Sequence, residues 1–413
     1  MPTDRGSEVP INNRILLLVS KGISYIGTKL FSFALSWYIL AQTGSGLSFS
    51  ISLVVNYLPA IMVSLFAGWL SDKIRRPNWL LVLCDVASAC VCIIPLVWLN
   101  LSAIYCTIFL LSCISALFNN VLDTHLPNLE GIGGANGLKR LASSTQFITS
   151  GVNILAPSIG GVLINIFSVR IFVWVNVVSF LASAFGEIFL KYCVKENPQK
   201  KEKPEEKRGS TLLWLFGHKE FRPFLLGDAL TNFCVTAGIS VAVPFLVTNV
   251  LGISSSGYGL ITSCLGVGSV VSALYQTKYP CKTSLQYPYG KVGNIGAVML
   301  LICLVTLLPG HPIGSVAALC ALEFAVGWLS VAINVKTITT FQLYVDDSVR
   351  GKVLGTLTAV SYILIPLSLI LAGMATEFWP AYVLPAVSGG LLLVSLGGVW
   401  LMDEMGKAAD RRR

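Results

Sequence analysis

The sequence predicts an all-α polytopic membrane protein, with twelve transmembrane helices arranged as two six-helix halves. Three observations carry this. Of 413 residues, 54% are apolar and only 12% charged, about half the charged share of a water-soluble domain. The apolar residues gather into twelve runs of the length that a hydrocarbon core about 30 Å thick requires, about 20 helical residues each. Finally, 26 of the 29 Lys and Arg residues fall in or beside one set of alternate segments, the asymmetry that marks cytoplasmic loops. A soluble enzyme of this size would lack the charge to cover its surface.

The runs cover 15–41, 46–70, 78–99, 102–123, 142–167, 169–190, 223–249, 256–276, 292–309, 313–335, 352–376 and 380–401. Pro157 breaks the fifth and Pro366 the eleventh, which membrane helices tolerate. The first 13 residues are polar, and many apolar runs follow the first, so no cleaved signal peptide is expected. Placing both termini in the cytoplasm puts Arg14, Lys73, Lys139, Lys278, Lys336 and their basic neighbours inside. It leaves only Arg170 outside, with Lys21 and Lys29 within the first span. The net charge of +9 is therefore a topology signal rather than a nucleic-acid face.

The longest polar stretch, KENPQKKEKPEEKRGS from Lys195 to Ser210, cannot bury a core and divides the spans six and six. It sets an N-terminal half at 1–194, a central cytoplasmic loop at 195–221, and a C-terminal half with its tail at 222–413. Thr211 to Phe221 reads either as an interfacial helix with Trp214, Leu215 and Phe221 towards lipid or as a plain loop. The halves correspond weakly: Arg14 opens the first span and Arg222 the seventh, as in duplicated carriers that rock around a midplane site.

The eleven cysteines lie mostly inside apolar runs, where they act as small hydrophobes. Cys90 and Cys92 form C-x-C, but no second pair or His cluster completes a metal site. No metal or other cofactor is expected. No phosphate-binding G-x-x-x-x-G-K-[ST] loop occurs, so the chain is not expected to hydrolyse ATP.

The loop after the second run reads Gly68-Trp69-Leu70-Ser71-Asp72-Lys73-Ile74-Arg75-Arg76. It resembles the G-x-L-x-D-R-x-G-R-R signature of the major facilitator superfamily, with Arg75 where the signature has its second glycine. Thr43-Gly44-Ser45, Leu58-Pro59, Asp85, Ala135-Asn136-Gly137, Pro157 to Gly161, Gln342 and Arg350-Gly351-Lys352-Val353 are similar to the macrolide-efflux branch of bacterial drug exporters. Relatives of that branch often lack the same glycine. The Pro157 segment also resembles the G-P-x-x-G-G element of proton-driven drug antiporters, with Ala156 in place of its first glycine. The resemblance runs along nearly the whole chain. It implies the major facilitator fold, alternating access, and a cytoplasmic gate latched by Asp72, Arg75 and Arg76, for which a basic topology loop is the plain alternative. It also implies a bacterial plasma membrane location.

Polar residues recur at helical spacing within several runs. The first span has Lys21, Tyr25, Lys29, Ser32 and Ser36; the fourth Ser112, Ser115, Asn119 and Asp123; the seventh Asp228, Asn232, Thr236 and Ser240; the tenth Glu323, Gly327, Ser330 and Asn334. The resemblance assigns the cavity lining to these four helices, hence Tyr25, Ser32, Ser36, Asn119, Asn232, Ser330 and Asn334 as cavity residues. The sixth span carries a similar stripe, Asn176, Ser179, Ser183 and Glu187, and helix packing is the alternative for all of them.

Glu323 lies about ten residues from the nearer end of its run, about 15 Å deep at 1.5 Å per residue. Lys29 is also central. Intramembrane charges at such depth face a cavity or a partner, so Glu323 is expected to exchange a proton. Lys29 either tunes it, pairs with it or meets an anionic substrate. Asp85, Asp228, Glu187 and Lys21 are shallower and expected to reach headgroups or water. Phe31, Phe33, Trp37, Tyr38 and Tyr57 either line a pocket or face lipid.

The expected function is export of lipophilic or amphipathic small molecules by proton antiport, by a monomer whose partners are the bilayer, the substrate and protons. The rival readings are a carrier of a siderophore, lysolipid or nutrient, and a membrane sensor or scaffold without transport. An intramembrane enzyme finds no paired acids or nucleophile–base arrangement at matching depth.

Overall fold

The computed structural model describes residues 12–71, 77–126, 129–130, 134–192, 215, 218, 220–279, 285–307, 312–345, 353, 356–357, 359–361 and 363–411. Among these the protein is helical, with one isolated antiparallel bridge, Leu129 to Tyr192. The first six helices are α1 (Asn12–Thr43), α2 (Gly46–Ser71), α3 (Pro77–Cys92, with a further turn at Ile94–Val97), α4 (Leu101–His125), α5 (Gly134–Ile166) and α6 (Val169–Ile188). The second six are α7 (Arg222–Val250), α8 (Ser255–Lys278), α9 (Tyr289–Leu307), α10 (Pro312–Tyr344), α11 (Ile365–Phe378) and α12 (Val383–Arg411).

Eleven spans among the described residues are long and apolar enough to cross a membrane. With α2, 26 residues long, they make the twelve crossings that the hydropathy predicts. Large apolar side chains such as Trp174, Phe185 and Val394 stay exposed on helix surfaces, as suits a protein whose solvent is lipid rather than water.

Local sequence sets several boundaries. Gly44 adopts φ +60°, a left-handed conformation open to glycine, and its N–H closes α1 on the Leu40 carbonyl at 2.9 Å. Ser45 then caps α2 by accepting from the Ser48 amide at 3.1 Å, and Asn100 caps α4 by accepting from Ala103 at 2.8 Å; such caps satisfy amides left over at a helix start. Pro157 lies inside a continuous α5. Residues 359–361 and 363 of the eleventh run are helical, a turn at Leu364 interrupts them, and Pro366 stands in the first turn of the α11 that follows, where its missing N–H removes no helical bond.

The chain forms two compact units, 1–39 with 54–201, and 40–53 with 202–413. In the first, Phe31, Leu35 and Ile39 of α1 meet Ala89 and Cys92 of α3, Ile104 of α4, and Val173 of α6. Close approach needs small residues here: a Cβ on Gly27 would run into Ser179, and one on Gly186 into Ser20, so α1 lies directly on α6. Phe33 packs against Gly160 of α5. Phe31 and Phe33 are thus buried core residues of this unit, while Tyr57 is exposed.

In the second unit, α8 and α10 touch backbone to backbone. A Cβ on Gly268 would strike the Phe324 carbonyl, and one on Gly327 the Leu265 carbonyl. Ser272 fastens the pair by donating to the Trp328 carbonyl at 2.8 Å. Helix α7 carries two π-helical stretches, Thr236–Val241 and Leu246–Val250, which shift its side-chain register. Leu215 and Phe221 are 0% and 4% exposed, and Phe221 stacks on Phe341 with ring centroids 4.9 Å apart. Of the two readings of this segment, the lipid-facing one is corrected for Leu215 and Phe221, which enter a core. Trp214 lies outside the described residues.

Candidate functional site

In the second unit the site is built around Glu323 on α10. Its side chain is 2% exposed, and neither carboxyl oxygen has a hydrogen-bond partner among the described residues. Tyr258 of α8, and Cys320 one turn earlier on α10, lie close enough to feel its charge. An isolated carboxyl in such a place must hold a proton or meet a cation, because an unpaired buried ion is costly. The stripe of α10 does not stay on one surface. Gly327 is spent on the contact with α8, Ser330 is half-buried and Asn334 exposed.

On α7, Asp228 accepts from the Tyr287 hydroxyl at 3.3 Å, and Asn232 donates to the Asp228 carbonyl at 3.0 Å. Gly227 makes the first bond possible, since a Cβ there would overlap the Tyr287 ring. Burial, and then the Asp228 charge, hold the Tyr287 phenol well above its usual range. It therefore remains an O–H donor. Asp228 is half-buried and anchored by Tyr287. Beyond Asn232 the π turns carry Thr236 inward and leave Ser240 exposed, which accounts for the drift in that stripe.

In the first unit, Lys21, Tyr25, Lys29, Ser32 and Ser36 all lie half-buried along one face of α1. The Lys29 ammonium sits 5.2 Å from the centre of the Tyr25 ring, a cation–π distance. The Tyr25 hydroxyl donates to Asn153 Oδ1 of α5 at 3.0 Å. Asn119 on α4 is exposed and donates to the Ser115 carbonyl at 2.9 Å. Asp72, Arg75 and Arg76 lie outside the described residues.

The α6 stripe turns inward. Asn176, Ser179, Ser183 and Glu187 are all buried, and Asn176 donates to Cys92 Sγ of α3 at 3.4 Å. Its regular spacing therefore records a packing face. Asp85 and Glu187, expected to reach headgroups or water, are 3% and 1% exposed and bear on one another across the α3–α6 contact. Spacing within one helix does not tell which neighbour a face will meet.

Comparison with known proteins agrees with this architecture. The Major Facilitator Superfamily profile matches residues 17–335, and the chain belongs to that family of membrane transporters. It is 24% identical over 408 residues to the MFS-type transporter YfiS of Bacillus subtilis (strain 168), covering 96% of this chain and 94% of that one. It is 23% identical over 406 residues to the multidrug efflux pump Tap of Mycobacterium tuberculosis (strain ATCC 25618 / H37Rv), covering 94% of each. Among solved structures, a bacterial homologue of the iron transporter ferroportin, inward-facing, aligns with TM-score 0.70 at 13% identity over 95% of this chain and 99% of the other. The nucleoside transporter NupG aligns with TM-score 0.65 at 12% identity over 96% and 99%. These likenesses show the fold. The protein is a multi-pass membrane transporter and not an enzyme.

Proposed function

We propose that this transporter exports lipophilic or amphipathic small molecules by proton antiport, with Glu323 exchanging the proton. The observation that carries the coupling role is the Glu323 carboxyl, buried in α10 with both oxygens unpartnered among the described residues. Such a group takes up and releases a proton when water reaches it in turn from each side. Lys29, held by the Tyr25 ring, tunes the site or meets an anionic substrate. Tyr25, Ser32, Ser36, Asn119, Asn232, Ser330 and Asn334 supply the polar contacts of an otherwise apolar cavity. Asp72, Arg75 and Arg76 latch the cytoplasmic gate by ion pairing.

On this reading the protein works as a monomer in the cell membrane, with both termini cytoplasmic. The efflux direction is supported by the distant similarity to Tap over nearly the whole chain.

The test is accumulation of a panel of lipophilic compounds in pump-deficient cells expressing wild type or Glu323→Gln, with and without a protonophore. Lower accumulation that disappears with the mutation and with the protonophore supports the proposal. Export that survives both contradicts it.

A further inference from the structure

The α3–α6 contact of the first unit holds a group of polar atoms that the transport reading does not use. Asp85 Oδ2, both oxygens of Glu187, Ser183 Oγ and the Tyr192 hydroxyl are all buried without a hydrogen-bond partner among the described residues. The Ser183 side chain is 0% exposed and faces both carboxyls. Cys84 lies within reach of the same two charges, and Tyr192 within reach of Glu187. The bases of these elements are Arg14 and Lys21 on α1, both half-exposed, and Lys191 beyond α6, which is exposed. The groups bearing on the two acids include no base.

This arrangement sets two carboxyl groups against three neutral donors, the Ser183 and Tyr192 hydroxyls and the Cys84 thiol. Two carboxylates in an apolar interior repel one another, and neither is solvated. Leu17, Leu81, Val121, Leu122, Leu141 and Leu190 form the apolar cluster around this end of the unit. The chain after α6 is also tied in place. Asn13 donates to the Glu130 and Lys191 carbonyls at 3.0 and 2.9 Å, and the Glu130 amide donates to the Lys191 carbonyl at 2.9 Å. Rearrangement to bring water in is therefore restricted. What completes the group is one positive charge that accepts oxygen ligands.

We propose that Asp85, Ser183 and Glu187 form a binding site for a small monovalent cation, a proton shared by the carboxyls or a sodium ion, that fastens α3 to α6. Hard cations take oxygen ligands of this kind. Burial and the Glu187 charge hold the Tyr192 phenol above its usual range, so its O–H remains a donor able to turn towards Glu187. The site lies in the other unit from Glu323, and its occupancy does not depend on the export reading.

The experiment measures thermal unfolding midpoints of the purified full-length protein in detergent, at several pH values, in sodium chloride and in choline chloride of equal ionic strength. Wild type is expected to gain roughly 2–4 °C for each tenfold rise in the bound cation above its dissociation constant. Acid stabilisation in choline with no sodium effect identifies the proton. Stabilisation by sodium at alkaline pH identifies the metal ion. Glu187→Gln, with a neutral carboxamide, is expected to lose the sodium response or to weaken the acid response, the rest of which Glu323 carries. Asp85→Asn serves as the second variant, and binding of radioactive sodium to wild type gives a reading that needs no variant. Wild-type midpoints indifferent to both cations would overturn the proposal. So would a response of undiminished size in both Glu187→Gln and Asp85→Asn.

Discussion

The Ser45 hydroxyl donates to Glu377 Oε1 at 2.5 Å, and the Leu47 amide approaches the same oxygen at 3.4 Å. A carboxylate from α11 thus sits at the start of α2, where unsatisfied amides and the helix dipole favour negative charge. The two helices are close because Gly46 lies against Thr376, and Gly373 against Ser50.

Removing this carboxylate should loosen α2 from α11. Glu377→Ala is expected to destabilise the protein by about 1–2 kcal/mol, the range for losing a cap and a charged hydrogen bond. Glu377→Gln, which keeps an acceptor, should lose less than about 1 kcal/mol. Denaturant unfolding followed by tryptophan fluorescence measures both.

The α8–α10 contact predicts opposite outcomes for two glycines of one helix. Gly327→Ala forces a Cβ into the Leu265 carbonyl and should destabilise by about 1–3 kcal/mol, as overpacking does. Gly314, also on α10, has nothing within 4 Å of a Cβ position. Gly314→Ala should be neutral or stabilising by up to about 1 kcal/mol. Midpoints of the two variants measured side by side decide this.

Tyr287 gives the protein an alkaline limit. Its phenol is held well above the usual value by burial and then by Asp228, so the folded chain keeps a proton that the unfolded chain loses near pH 10. Its contribution is intact below that pH and lost as pH rises above it. Tyr192 is shifted the same way, so Tyr287→Phe should flatten part of the loss above about pH 10. At neutral pH the variant should lose about 1 kcal/mol, the bond to Asp228. A pH series of unfolding midpoints tests both statements.

The twelve crossings were legible because a bilayer imposes a length, and length is written directly in hydropathy. Glu323 was legible as a charge deep in an apolar run. Its neighbour Tyr258 was not, since the α8–α10 approach depends on Gly268 and Gly327 meeting backbone from another helix. The stripe on α6 was visible, but Asn176 to Glu187 could not reveal that α1 and α3 cover it. For the same reason Asp85 and Glu187 were expected near water, when the neighbouring helices exclude it. The π turns of α7 change the number of residues per turn without any composition signal, so Ser240 left the face that Thr236 occupies. Leu215 and Phe221 looked lipid-facing because Phe341, more than a hundred residues later, is invisible to local pattern.

The central claim is that solute movement is exchanged for protons through Glu323. The direct measurement is the internal pH of proteoliposomes loaded with a pH-sensitive dye, on addition of lipophilic compounds that lower accumulation in cells. Wild type is predicted to move protons only when a transported compound is present, with Glu323→Gln reducing the signal at least about tenfold, a loss of about 1.4 kcal/mol or more in barrier terms. Compound flux in wild type with no accompanying proton movement, or proton movement undiminished in Glu323→Gln, would contradict the account.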